Sequence, residues 1–533
     1  MRTALLRALA GAVGFTMALL APGCSASSQN QSAKVQAGAA AVTPSWPCAL
    51  GAPTISSTIP NDSPLTDQPT LNCFAWQEFI ALNWAAQAGQ RGVADPKATP
   101  AQFGTPNATA PTVWETYKAD TEVMLPGAAT PKGWNDPPPA PSCSSGGTSA
   151  AALAAKPGTR VLSMASAFGD FSLDQTNQAS GQWLADQNGN LVWYEIKLNQ
   201  DEFNTIVNNQ FYNATTQQTA ASTGKNPAGS SLAYQVQLPS GCLQGNCPNN
   251  GSPVTGAIEL KAAWRILTNS NQYGRYLTSQ AVLVNNGVCT NATMGLVGLH
   301  IIHKTVTQPQ FIWATFEQVD NVAPASPATF SASSCQCQTA IPAMCFKTPP
   351  GSTVYQNCLA SQGQGQMCTA NTPPPYNTVS AGCGAYPIQV TRNRPISNNS
   401  TDPVVATNTA AQQLITNTNA NSVFQYYQLV DVLWSGSPQD SYTNPMGQPG
   451  PTTPLSMSGA TPDPSALPVA NTTMETYVQT LTCLSCHVGA QTAGGTYASD
   501  FSFILGDAQA PGLAAARARR RRSLPKGLVK LKH

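Results

Sequence analysis

From Ile258 to Leu267 the chain alternates. Ile258, Leu260, Ala262, Trp264 and Ile266 fall on one side, and Glu259, Lys261, Ala263, Arg265 and Leu267 on the other, which is the period of a half-buried strand. A strand with one apolar face cannot stand alone, so it predicts a sheet. Gln280–Val284, Leu296–Thr305 and Gln310–Val319 also read as extended, and Trp183–Ile196 pivots on Asn188-Gly189, a strong hairpin signal. Two stretches instead repeat at helical spacing. Asn72 is placed to cap a helix carrying Cys73, Trp76, Ile80 and Trp84, and Val423, Tyr426, Tyr427, Val430 and Trp434 form a second stripe. The expectation is an α+β fold: a central antiparallel sheet flanked by helices, with disulfide-stapled loops and a short helical segment near the C-terminus.

The ends of the chain read differently from its body. Arg2 and Arg7 precede an apolar run from Ala8 to Leu20, followed by Ala21-Pro22-Gly23-Cys24, the layout of a secretory signal at residues 1–23. The run is too short to span a bilayer. Cys24 stands where a bacterial lipoprotein signal has its acylated cysteine, with Ala21 in place of the usual leucine. Residues 24–45 are rich in Ser, Gln and Ala and read as a tether, so membrane attachment is expected through a lipid at Cys24. The body runs over 46–435, a Pro/Gly/Ser-rich linker over 436–468, the C-terminal segment over 469–510 and a basic tail over 511–533.

Charged residues make up 9% of the chain, so neutral polar groups must carry its solubility. Of the 26 Lys and Arg, Arg2, Arg7 and eight after Ala516 lie at the ends, leaving 16 against 24 acidic residues in the body. The tail (Arg517, Arg519–Arg522, Lys526, Lys530, Lys532) reads either as solvated or as a patch for anionic lipid or an acidic partner. Nucleic acid is not expected as a partner of an exported chain. Fifteen cysteines point to an oxidising compartment. Without Cys24, Cys483 and Cys486 an even number remains. Cys242 with Cys247, and the group Cys335, Cys337, Cys345, Cys358, Cys368 and Cys383 inside an irregular insertion at 323–384, suggest local staples.

The chemistry concentrates near the C-terminus. Thr472 and Glu475 have capping-box spacing, and Met474, Tyr477, Val478 and Leu481 make an apolar face, which predicts a short helix running into Cys483. There follows Cys483-Leu484-Ser485-Cys486-His487. This is the C-x-x-C-H pattern of covalent c-type haem attachment, in which two thiols one helical turn apart bond the porphyrin edge and the adjacent histidine ligates iron. The competing readings are a redox-active thiol pair or a disulfide beside a chance histidine. With four histidines in 533 residues, chance is the weaker explanation.

The motif resembles that of c-type cytochromes. Phe74-Ala-Trp-Gln-Glu-Phe, Gly298-Leu-His-Ile-Ile-His-Lys and Glu475-Thr-Tyr-Val-Gln look like a poorly characterised group of exported bacterial cytochrome c family proteins. That resemblance implies one covalent haem c at Cys483 and Cys486, with His487 as proximal iron ligand. The chain departs from small soluble cytochromes c, whose motif lies near the N-terminus and whose methionine ligand follows it, because no methionine follows His487.

A sixth ligand must therefore come from upstream or be absent. His300 and His303 are the candidates; on a strand they point to opposite faces, and on a helix they share one. Each has an ordinary reading as a buried or surface histidine, and a zinc pair lacks third and fourth ligands. Met446 and Met457 are alternatives, whereas Met474 reads as core. Three functions stay open: an electron-transfer cytochrome with a filled sixth position and an unidentified redox partner, a haem oxidoreductase with an open or displaceable one, and a surface-binding lipoprotein without haem. No phosphate loop, dinucleotide glycine fingerprint or hydrolase elbow is present.

Overall fold

The computed structural model describes most of residues 48–138, 175–223, 252–322, 388–436 and 468–511, with 143, 160–163, 236–243, 247, 370–374 and 385 between them. All of these belong to one contact unit, Ser45–His533. Cys24, the cysteines from Cys335 to Cys383, Met446, Met457 and the basic tail lie outside the described residues.

The fold is α+β, with a curled sheet of eight strands: β1 Lys118–Ala119, β2 Arg160–Ser163, β3 Trp193–Leu198, β4 Ile258–Ile266, β5 Thr278–Asn285, β6 Val288–His303, β7 Ile312–Gln318 and β8 Tyr427–Leu433. The long β6 organises it. One edge pairs with β4 over Met294–His303; the other pairs with β5 over Val288–Gly295 and then with β7 over Gly298–His303. Pairings are antiparallel, as expected, except that β2 adds to β5 in parallel. β4 forms where the alternation predicts a strand, but it is not half-buried: Glu259 and Ala263 are buried along with Ile258, Leu260, Ala262 and Trp264.

The helices are α1 Gln68–Leu82, the single turn α2 Asp120–Val123, α3 Gln200–Asn208, α4 Ala214–Thr223, α5 Pro403–Thr418 and the short α6 Cys483–His487. Helix α1 starts earlier than its sequence pattern suggests. Asp67, not Asn72, is the N-cap; its Oδ1 accepts from Thr70 N at 2.9 Å, and Pro69 sits in the first turn, where a missing N–H costs nothing. Asn72 is buried inside the helix. The helix is enclosed nearly all round, because the sheet, β6 and β8 included, lies on one side and α5 on another. Phe79 stacks on Phe316 of β7 with centroids 4.4 Å apart, and Trp76 Nε1 donates to Asn408 of α5.

Three local expectations change. The stripe from Val423 to Trp434 is a 3₁₀ turn, Val423–Tyr426, that runs into β8; a run of β-branched and aromatic residues satisfies either period, and the free edge of β7 decides for the strand. Around Asn188-Gly189 the chain does turn back, with Gly189 at φ 74° and Asp186 Oδ1 accepting from the amides of Asn188 and Asn190. The first arm, however, makes isolated bridges only, since β3 pairs onward with β4. Thr472 to Leu481 forms successive turns in place of a helix. Asn471 acts as the local cap, its Oδ1 accepting from Thr473 N, while Glu475 Oε2 accepts from Asn471 N at 2.8 Å.

Three disulfides, Cys48–Cys73, Cys143–Cys289 and Cys242–Cys247, hold the described part together. The last is the local staple its spacing predicts.

Candidate functional site

The C-terminal segment packs on the sheet face opposite α1, and the register of β6 explains how. Residues opposite one another in an antiparallel pair share a face, so Gly298, His300 and Ile302 of β6 point the same way as Glu317, Thr315 and Trp313 of β7. Asn471 Nδ2 donates to Thr315 Oγ1 at 3.0 Å, Thr472 N donates to Glu317 Oε1 at 2.5 Å, and Tyr194 of β3 donates to Thr473 O at 2.7 Å. Gly298 is needed here, because a Cβ would stand 2.5 Å from Thr473 Oγ1.

These ties deliver the chain to α6. Thr482 caps it, accepting from Ser485 N at 3.1 Å. In one helical turn positions three apart share a side. Leu484, fully buried, anchors the inner side together with His487, and Cys483 and Cys486 stand together as free thiols, both half-buried. The His487 ring lies between Trp313, centroids 4.5 Å apart, and Phe503 at 4.8 Å. Its Nδ1 is 2.7 Å from Phe501 O. A carbonyl can only accept, so Nδ1 carries the proton and Nε2 keeps its lone pair. Burial, supported by the nearby charges of His300 and Lys261, lowers the ring to about 4 against the opposing pull of the Phe501 carbonyl, so it is neutral at physiological pH.

Burial also moves the thiols. Cys483 is pushed far up and Cys486 up to about 11, in both cases by desolvation and then by the charge of Glu475. Redox-active C-x-x-C pairs work through a thiolate of lowered pKa, and this pair is held the other way.

The two upstream histidines part company, as a strand requires. His300 faces α6 and its Nε2 donates to Glu475 Oε1 at 2.9 Å, half-buried. Burial would raise the Glu475 carboxyl, but His300, Lys261 and its hydrogen bonds hold it below the ordinary range. His303 faces α1, fully buried beside Phe74. Its Nδ1 meets Glu78 and its Nε2 donates to Thr255 O at 2.5 Å. Desolvation opposes charge on His303, yet the Glu78 carboxylate holds its pKa above the usual value. Neither ring nitrogen of His303 has a lone pair to offer. Met474 is fully buried core, as its pattern suggests.

No family model, curated protein or solved structure matches this chain. Its function must therefore be argued from its own residues.

At α6 the structure brings together two unpaired thiols one turn apart and an adjacent neutral histidine whose Nδ1 is engaged by Phe501 O, leaving Nε2 as its available nitrogen. Among the described residues no group of three or more His, Cys, Asp and Glu is arranged to hold a bare metal ion. Sequence reasoning missed Trp313, Phe503 and the Phe501 carbonyl. A backbone acceptor leaves no mark in side-chain identity, and Trp313 reads simply as a buried strand residue.

Proposed function

We propose that this chain is an exported redox protein carrying one haem c on Cys483 and Cys486, with His487 as proximal iron ligand, and that it transfers electrons. The observation that supports this most is the Nδ1–H···O bond from His487 to Phe501, which orients a neutral imidazole with Nε2 free. The raised thiol pKa values weigh against a dithiol–disulfide enzyme. When bound, haem supplies an iron that cycles between two oxidation states. The chain's own contribution is to fix His487, to pack its ring with Trp313 and Phe503, and to keep charge near the site balanced through His300 and Glu475.

Export and lipid attachment rest on the signal layout ending in Cys24. Among the described residues no helix is long and apolar enough to cross a membrane.

A second reading, a haem oxidoreductase with an open or displaceable sixth position, draws on the state of the upstream histidines. His303 is fully engaged on the far face, and His300 is bound to Glu475. If the protein supplies a sixth ligand from the described histidines, it is His300 after release from Glu475.

Visible spectra of the oxidised, reduced and carbon-monoxide-treated full chain, produced with c-type haem attachment machinery, separate the two. A low-spin spectrum indifferent to carbon monoxide and lost in His300→Ala supports electron transfer with His300 as ligand. A high-spin iron that binds carbon monoxide supports the oxidoreductase, and absence of haem overturns both.

A further inference from the structure

The carbonyl that holds His487 belongs to an unusual piece of backbone. Asp500 and Phe501 are consecutive and both left-handed, at φ 54° and 65°. Two adjacent non-glycine residues rarely adopt this region, and for a bulky phenylalanine it is a marked outlier that persists only where the surroundings impose it.

The surroundings do impose it here. The Asp500 carboxylate is fully buried; its Oδ2 accepts from Lys304 Nζ and, at 2.7 Å, from the amide of Leu238. Lys304 is itself fixed at the end of β6, its amide donating to Ala257 O and its carbonyl accepting from Gly241 N at 2.8 Å. On the other side of the turn, Ser499 N donates to Ala490 O and Ser499 Oγ donates to Ser502 O at 2.6 Å.

We propose that Asp500, clamped by Lys304 and the Leu238 amide, is the positioning residue that holds Phe501 left-handed, and so fixes the tautomer and orientation of His487. It acts through one backbone carbonyl, that of Phe501. The role in iron ligation rests on the haem reading above; the role in setting the tautomer does not.

Two measurements keep these apart. In haem-free full chain labelled with ¹⁵N-histidine, the wild type shows His487 as the Nδ1–H tautomer alone. Asp500→Asn shows a mixture, because the turn relaxes and the carbonyl leaves Nδ1. The double variant Asp500→Asn/Lys304→Met removes both buried charges together, sparing the fold an orphaned ammonium, and gives the same mixture. An unchanged single tautomer in a folded variant overturns the proposal.

In haem-loaded protein, Asp500→Asn keeps its thioether bonds but shifts the reduction potential upward, because a ligand imidazole that loses its Nδ1 acceptor is a weaker donor to ferric iron. Equal potentials in wild type and variant overturn the ligation part. If neither protein takes up haem, the haem reading fails while the tautomer result still decides on the clamp.

Discussion

His300 and His303 stand three residues apart on one strand, each beside a glutamate, and the two faces of the sheet use them differently. His303 and Glu78 sit between the sheet and α1 without solvent contact, every nitrogen of the ring engaged. His300 and Glu475 sit on the opposite face at the edge of the C-terminal segment, both partly exposed and joined by one hydrogen bond. The same residue pair is thus a sealed part of the core on one side and an accessible neighbour of the C-x-x-C-H turn on the other. A buried pair is costly to break, because the abandoned partner is left in a dry site without its hydrogen-bond partner. A solvated pair is worth little to stability and is free to exchange partners.

The comparison predicts its own largest effect. Glu78→Ala, which strands His303, should destabilise the fold by about 3–5 kcal/mol in urea unfolding, whereas His300→Ala, which leaves Glu475 its bond from Asn471 N, should cost under about 1 kcal/mol. Similar losses from the two would erase the distinction between the faces.

Next in size is a carboxyl that has no histidine at all. Glu202 of α3 is fully buried beside Glu259 of β4, and desolvation, then the Glu259 charge, raise its pKa well above the carboxylate range. A carboxyl raised in the folded state holds a proton the unfolded chain has released. Its contribution is therefore fully present below the unfolded value near 4.5 and is lost as pH rises through the folded one. Glu202→Gln should stabilise the protein at pH 7 by roughly 1–3 kcal/mol and flatten the decline above pH 5. A variant less stable at pH 7 would show that Glu202 is needed as a carboxylate.

The smallest effect concerns the motif face alone. His300→Gln keeps a donor to Glu475 and should change the unfolding free energy by less than about 0.5 kcal/mol, while altering the spectrum of haem-loaded protein if His300 is the sixth ligand. His303→Gln should do the reverse.

The sequence made the architecture legible where period was unambiguous. The period from Ile258 marked a strand that became β4, ending at Ile266 and buried on both faces where the alternation had implied one, and the placement of His300 and His303 on opposite faces followed once β6 was known to be a strand. It misled where residue types serve two structures. Tyr427, Val430 and Trp434 fit a helical stripe but continue the sheet beyond β7. Thr472 and Glu475 have capping-box spacing, yet Asn471 takes the capping role and Glu475 answers to His300. The candidate site divides the same way. The C-x-x-C-H turn was visible as a string of side chains. The left-handed pair at Asp500 and Phe501 was not, because an aspartate adopts a positive φ too seldom to announce one and a phenylalanine gives no sign of it.

The most direct test of the account is intact-mass and peptide mass spectrometry of the mature full chain, made in a bacterium with haem attachment machinery and compared with Cys483→Ala/Cys486→Ala. The account predicts the mass of one haem on the peptide spanning 483–487 of the wild type, and none on the variant. A wild-type peptide whose two cysteines are unmodified or joined to each other would contradict it.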